Sequence, residues 1–318
     1  MSYKVRENLE RSIVAATQYI LALQKDNGCW IDWKLPVGES DSWVTAYVGY
    51  KLQNIPNHLK SMIEHSENIA STWILRKQGI DAGWGYNGSV ESDADSIACS
   101  ILFIDSVGKR IPTNAYKRLE QFQCLDGGFC TYLTSNNTGS WRMSHPDVTP
   151  TALLALLTKY QYEEEPRIAE GIKYILENQR ADGIWNSFWW DSPLFSTTAN
   201  LALLHKIKNM NIDLEKISGC LKRIRPKNSF ETSLLLSSAL YSDQESTDMD
   251  YVSNLTTQLL SQQLPDGSWL SEPILRLTRQ DCYEPWEDVY PGSLYLDPNR
   301  LMTTATSLES LCRLYSLC

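Results

Sequence analysis

Histidine is scarce in this sequence, with four residues in 318, and basic side chains fall short of acidic ones by 29 to 38. The net charge of −9 argues against nucleic acid as the main partner, because a phosphate footprint needs a basic face. Among eight cysteines there is no Cys-x-x-Cys pair. Neither a disulfide framework nor a zinc ribbon is therefore expected, and most of these residues read as buried thiols of a reducing compartment. No apolar run approaches the roughly 20 residues of a membrane-spanning helix. The densest, LLALL, occupies only 153–157. The N-terminus, MSYKVRENLERS, is too polar and charged for a signal peptide. No proline-rich or charged linker splits the chain. With 42% hydrophobic residues it has ample material for a core. The expectation is a soluble, cytoplasmic chain that folds as one unit over 1–318.

What is present is a repeat. QKDNGCW (24–30), QRADGIW (179–185) and QLPDGSW (263–269) share glutamine, three residues, glycine, one residue and tryptophan. QGIDAGW (78–84) keeps the pattern with Ala82 at the glycine position, and QCLDGGF (123–129) keeps it with Phe129 for tryptophan. A degraded sixth copy occupies 224–230 and ends in Phe230. Self-similarity at such intervals signals a repeat architecture. The glycine suits a tight turn after a helix. The glutamine amide is expected to bond backbone of a neighbouring repeat, with the aromatic ring packed as structure.

Each copy follows an amphipathic segment, such as LERSIVAATQYILALQ, with apolar residues at i, i+3, i+4 and i+7. Each precedes a more uniformly apolar one: DSWVTAYVGYKL, DADSIACSILFI, DVTPTALLALL, STTANLALL, ETSLLLSSAL and MTTATSLESL. Helices apolar all round are buried, and amphipathic ones face solvent. Six such pairs read as two concentric rings, an all-α toroid.

One inner-helix start differs from the others. ESDADSIA (91–98) sets Asp93 and Asp95 two residues apart, after the Gly- and aromatic-rich loop QGIDAGWGYNGSV. Two carboxylates that close in a dry site cannot both ionise freely, so one can hold its proton at neutral pH. The competing reading is an ordinary helix cap by Ser92 or Asp93 with both acids solvated. Asp41 and Asp147 occupy the offset of Asp93 in their own repeats, and for these two the cap is preferred.

The repeats resemble the QW motifs of the terpenoid cyclase and protein prenyltransferase superfamily, over nearly the whole chain. The resemblance implies a single (α/α)6 barrel whose inner helices start at one rim around a central cavity. VESDADSIA looks like the DxDD-T-A motif of class II terpene cyclases such as squalene–hopene cyclases. There the middle aspartate protonates an alkene or epoxide and starts cyclisation. Position by position, Asp93 matches the first aspartate, Asp95 the acid, Ser96 the third aspartate, Ile97 the threonine and Ala98 the alanine. Serine at 96 removes one source of pKa elevation for Asp95. His145, in SHPDVTPT, is the candidate to orient the acid, much as in squalene–hopene cyclases. Class II cyclases usually work between two barrels. Here either another subunit completes the cavity or this barrel encloses a smaller substrate alone. The prenyltransferase branch binds zinc through Asp-x-Cys and a later histidine. In this chain Asp281 and Cys282 are adjacent and Thr303 stands where the histidine should be, so no zinc site is expected. The GCGEQ motif of complement-type toroids is absent.

Aromatic faces stabilise cations, and the residues expected to meet substrate are Trp43, Tyr86, Trp141, Trp189, Trp190, Tyr283 and Trp286, with the Trp189–Trp190 pair foremost. The segment 271–298 is the longest between a repeat motif and its inner helix, and it reads as a lid or rim insertion. Arg276, Arg279 and Arg300 serve either as solvated charge or as partners of a diphosphate; Mg2+ enters only in the second case, and otherwise no cofactor is expected. The expected function is protonation-initiated cyclisation of an isoprenoid or prenylated small molecule, with Asp95 as acid and Asp93 tuning it. The alternative is a non-catalytic ligand-binding or partner subunit that retains the toroid. A third reading, carbohydrate chemistry on a similar barrel, sits poorly with the QW register.

Overall fold

Each repeat builds an outer helix, a tight turn and an inner helix, in that chain order. The computed structural model describes residues 3–133, 139–162, 165–207, 212–242 and 248–317. The pairs are α1 (Tyr3–Ala22) with α2 (Ser42–Leu52), α3 (Glu64–Arg76) with α4 (Ala94–Ser106), and α5 (Thr113–Glu120) with α6 (Thr149–Leu156). They continue with α7 (Pro166–Glu177) and α8 (Pro193–Ile207), α9 (Leu214–Leu221) and α10 (Ser229–Ser242), then α11 (Met249–Ser261) and α12 (Leu301–Ser316). The inner helices pack side to side in sequence, α2 on α4, α6, α8, α10 and α12 in turn, and α12 closes back onto α2. That is the expected (α/α)6 toroid. Burial follows the pattern read from the sequence. In α10 every residue but Tyr241 is buried, whereas in the outer helix α7 only Ile168, Gly171, Ile172, Tyr174 and Ile175 are.

The repeated motif ties each turn to its own outer helix, and in part to the next, through side-chain bonds to backbone carbonyls. The indoles of Trp30, Trp84, Trp185 and Trp269 donate to the carbonyls of Ile20, Ile74, Ile175 and Leu259, each in the last turns of the preceding outer helix, at 2.7–2.8 Å. Three of the five motif glutamines reach the next outer helix, as expected, while the amides of Gln78 and Gln179 close their own turns on Ala82 O and Gly183 O. Gln24 donates to Ser66 O at 3.0 Å, Gln123 to Arg167 O at 2.8 Å, and Gln263 to Ser12 O at 3.0 Å. The last of these joins the sixth repeat to the first. The motif glycine is required where the next helix passes closest. Gly127 has φ +88°, and a Cβ there would lie 2.3 Å from Glu170 O.

Two antiparallel hairpins stand on the rim where the inner helices begin. One pairs β1 (Asp32–Leu35) with β2 (Gly38–Ser40), the other β3 (Leu275–Thr278) with β4 (Gly292–Tyr295). The second lies within 271–298 and is stitched down rather than free. Arg276 N donates to Trp189 O (2.6 Å), Asp191 N to Ile274 O (3.0 Å) and Ser140 N to Gln280 O (2.8 Å). Asp32 closes the ring from the other side, its Oδ2 accepting the N-terminal N–H of α12 from Leu301 at 2.8 Å.

The expected caps at Asp41 and Asp147 do not form. Asp41 stands at the N-cap of α2 but makes no side-chain cap bond, and instead accepts from the hydroxyl of Ser42 at 2.9 Å. Asp147 lies before Val148, the N-cap of α6, and its carboxylate turns to the next repeat. Among the described residues no helix is long and apolar enough to cross a membrane.

Candidate active site

The inner-helix starts of the first four repeats and both hairpins enclose a cavity of about 370 Å3. Asp93, Asp95, Ser96 and Asp147 lie in its wall with Trp43, Tyr86, Tyr132, Trp141, Trp189 and Trp190; the tip of the first hairpin adds Leu35, Pro36 and Val37, and strand β3 of the second adds Leu275 and Leu277. The volume falls within the range of small-molecule sites, and the mix of many apolar groups with a few convergent polar ones is typical of them.

Asp93 caps α4. Its Oδ1 accepts Ser96 N and its Oδ2 the Ser96 hydroxyl, both at 2.7 Å. The serine standing where a third aspartate was expected is therefore a donor to the first. Burial nevertheless pushes the Asp93 carboxyl up to about 7 against these bonds.

Asp95 lies one position inside the helix, enclosed by protein but only half-buried because it lines the cavity. Its Oδ2 accepts the indole N–H of Trp43 at 2.6 Å. Burial, then the charge of Asp93, and finally that of Asp147 push its carboxyl up to about 7, while the Trp43 bond pulls it down. The helix N-terminus favours the ionised form, so burial and neighbouring carboxylates win here. With Oδ2 engaged, Oδ1 is left to carry the proton. Such a group is protonated in a large fraction of molecules at neutral pH and has a donor ready for its anion, which is what a general acid needs.

His145 does not bond the acid, since both its ring nitrogens are engaged elsewhere. Nδ1 pairs with the Thr131 hydroxyl at 2.8 Å and Nε2 with Ser140 O at 2.9 Å, and the ring stacks on Phe188 with centroids 3.9 Å apart. Burial lowers its pKa to about 3, so it is a neutral brace of the wall. It acts on the site through Thr131, which also accepts the Trp189 indole N–H at 2.8 Å.

The aromatic residues divide. Trp43 stacks with Tyr86 (centroids 6.3 Å apart, planes 27° apart), and Trp190 lies on Phe195 at 4.0 Å. Trp141 meets Trp189 at 5.3 Å and anchors its indole N–H on Thr278 O at 2.7 Å. Tyr283 and Trp286 do not line this cavity. They are exposed on the loop between β3 and β4, and Trp286 faces a separate open groove of about 860 Å3. Arg276, Trp190 and Leu277 belong to both spaces. Arg276 is buried, its guanidinium making long contacts to Asp191 (3.4 Å), Phe188 O (3.4 Å) and Ser187 O (3.5 Å), whereas Arg279 pairs with Asp281 and Arg300 with Asp266.

Sequence reasoning assigned Trp43 to the substrate and missed its bond to the acid. It placed Asp147 at a cap and missed it as a cavity wall. The rim offset that Asp147 shares with Asp93, and that Trp43 shares with Asp95, was the only signal in the sequence for either. Among the described residues no group of three or more histidine, cysteine, aspartate or glutamate side chains is placed to hold a metal ion.

No family model matches the sequence, and no curated protein does. Solved structures do. A single-residue variant of the type II terpene cyclase MstE from Scytonema superposes with TM-score 0.86 at 22% identity, covering 100% of each chain. A protein from Actinoplanes gives 0.84 at 21% identity over 96% of this chain and 99% of that one. The ent-copalyl diphosphate synthase from Streptomyces platensis gives 0.64 at 15% identity, over 86% of this chain and 50% of its own. At such identities the likeness establishes the toroid, and the chemistry has to be read from the site.

Proposed function

We propose that this chain is a protonation-initiated cyclase of an isoprenoid or prenylated aromatic substrate, with Asp95 as proton donor and Asp93 as its tuning neighbour. One observation carries the reading: a carboxyl whose pKa burial and its neighbours raise to about 7 opens onto an apolar, aromatic-walled cavity and has an indole donor on its other oxygen. The Asp95 O–H adds its proton to a terminal alkene, forming a C–H bond and a tertiary cation. Neighbouring alkenes then attack in turn, and loss of a proton ends the sequence. Each desolvated aromatic face contributes roughly 0.5 to 2 kcal/mol to cation stability.

The prenyl tail lies in the cavity, and a polar or anionic head reaches Arg276 where cavity and groove meet. Support for the substrate class comes from MstE, whose variants have been solved with geranylgeranyl dihydroxybenzoate as substrate and merosterolic acid A as product. That protein, like this one, is matched end to end by a single barrel. This chain lines the cavity with its own residues, so the reading needs no second subunit. A cytoplasmic location agrees with the seven described cysteines, all free thiols.

The test incubates wild type and Asp95→Asn with isoprenyl diphosphates and prenylated aromatics in H2O and D2O, with products read by mass spectrometry. A wild-type product isomeric with its substrate and carrying one deuterium from D2O is expected, with none from the variant. Retained turnover in Asp95→Asn sinks the acid assignment. Ligand bound but returned unchanged by both proteins would favour the non-catalytic binding subunit.

A further inference from the structure

We propose that Cys124 and Cys130 are a redox-modifiable pair, in which Cys124 attacks a small disulfide such as oxidised glutathione and Cys130 resolves the adduct into an internal disulfide. The two residues flank the turn of the third repeat, QCLDGGFC. Cys124 N donates to Gly128 O at 2.8 Å and Cys130 N to Phe122 O at 3.0 Å, with Gln123 bridged to Phe129 between them. In this antiparallel register Cys124 opposes Gly128, and Cys130 opposes Phe122. The cysteines therefore stand diagonally on one face of the hairpin, where side chains can reach one another. When Cys124 ionises, the Cys130 thiol is its hydrogen-bond donor.

Access and acidity divide the two roles. Among the described cysteines Cys124 alone is not buried, and its neighbour Leu125 projects fully into solvent. Cys130 is 2% exposed. The Cys130 thiol holds the Cys124 thiol below its ordinary value against burial, and the Ser144 hydroxyl and the Cys130 backbone N–H add to the pull. Cys130 moves the other way, raised by its bond to Cys124 and then by burial. The thiolate is the nucleophile in thiol chemistry. An accessible, acidified cysteine beside a second one is the layout of a sensing and a resolving thiol.

The Cys124 thiolate attacks one sulfur of oxidised glutathione, forms the mixed disulfide and expels a glutathione thiolate. Cys130 gives up its proton to that thiolate, attacks Cys124 Sγ and expels the second glutathione. The two cysteines lose two electrons and two protons, and oxidised glutathione becomes two thiols. Closing this bond has a consequence at the cavity wall. Diagonal Cα atoms of an antiparallel pair lie about 7–8 Å apart, whereas a disulfide holds them within about 6.8 Å. Cys130 is therefore drawn towards Cys124, and its Sγ leaves Tyr132 O, to which it donates at 3.3 Å. Thr131 lies between these two residues and moves with them. Its carbonyl accepts the N–H of Ala94, the first residue of α4, at 3.1 Å, and its hydroxyl joins His145 and Trp189. Oxidation at the surface turn thus loosens the start of the helix that carries Asp95.

The test exposes folded wild type, Cys124→Ser and Cys130→Ser to oxidised glutathione near neutral pH, followed by tryptic peptide mass mapping. Both cysteines fall in one tryptic peptide, 119–142. In wild type that peptide should become lighter by two hydrogens and regain them with dithiothreitol. Cys130→Ser should stop at a glutathione adduct on Cys124, and Cys124→Ser should leave Cys130 unmodified. Hydrogen exchange of the Ala94 N–H should speed up roughly tenfold in the oxidised wild type, as a local opening would make it. A wild-type peptide that keeps both thiols overturns the proposal, as does a Cys124→Ser protein that takes up glutathione at Cys130. Unchanged exchange at Ala94 in a protein that carries the disulfide overturns the link to the cavity wall. None of these readouts depends on turnover, so the result stands apart from the cyclase reading.

Discussion

Trp43 donates its indole N–H to Asp95 Oδ2 at 2.6 Å, joining residues 52 apart in sequence. The bond strengthens as Asp95 gives up its proton, so it acts on the charge that develops during catalysis. Bonds to charged groups contribute about 1.5–3 kcal/mol. Trp43→Phe keeps an aromatic wall and removes the donor. It should lower kcat roughly ten- to hundredfold and move the loss of activity to higher pH, since the Trp43 bond lowers the Asp95 pKa. PH–rate profiles of the two proteins check both effects.

The acid sets the pH dependence of turnover. Catalysis needs Asp95 protonated, and its carboxyl is pushed up to about 7 by burial first and Asp93 second. Activity should hold below that value and fall about tenfold per pH unit above it. Asp95→Asn should abolish this activity at every pH tested.

The same carboxyl also affects stability. Because its folded pKa lies above the ordinary value of 3.8, the folded protein binds more protons than the unfolded chain between the two values. Stability from this group therefore falls as pH rises from about 4 to about 7, then stays level. Asp95→Asn should be more stable than wild type at pH 8, by an amount on the order of a few kcal/mol, with the gain shrinking towards pH 4. Denaturant unfolding at both pH values measures it.

Two repeat copies predict opposite outcomes for inverse substitutions. Ala82 holds φ +69° at a position where the other intact copies have glycine. Ala82→Gly removes a left-handed penalty of about 1–2 kcal/mol against an entropic cost of about 0.5–1, so a gain of a few tenths to about 1 kcal/mol is expected. At Gly127 the φ is +88° and an added Cβ meets Glu170 O. Gly127→Ala should lose more than about 2 kcal/mol, since strain and steric overlap add. Chemical denaturation of the pair tests the turn.

Ser96→Ala probes the exchange of an aspartate for a serine. Asp93 Oδ2 would lose its hydroxyl donor while Oδ1 keeps the backbone one. A loss of about 1–3 kcal/mol is expected, with Asp93 harder to ionise and the falling limb of the pH profile moved to lower pH as its charge on Asp95 fades. An unmoved limb would show that Asp93 does not tune the acid.

The architecture was legible in the chain by itself. Six copies of one pattern mark six turns, and the contrast between amphipathic and uniformly apolar segments assigns each helix to the outer or inner ring, because burial on one side or all sides leaves that trace in composition. Local spacing also offered Ser92 or Asp93 as a cap and put Asp95 inside the first turn, and the structure has Asp93 as the cap. Contacts between repeats were decided only by the tertiary structure. Whether His145 braces Thr131 or orients Asp95, whether Trp43 faces substrate or acid, and whether Asp147 caps its own helix or holds the loop at Phe188 and Trp189 depend on how neighbouring inner helices are rotated and spaced. Repeats share an offset, and an offset says which rim a side chain reaches. Its partner across that rim depends on the packing of side chains far apart in sequence, to which no local pattern is sensitive.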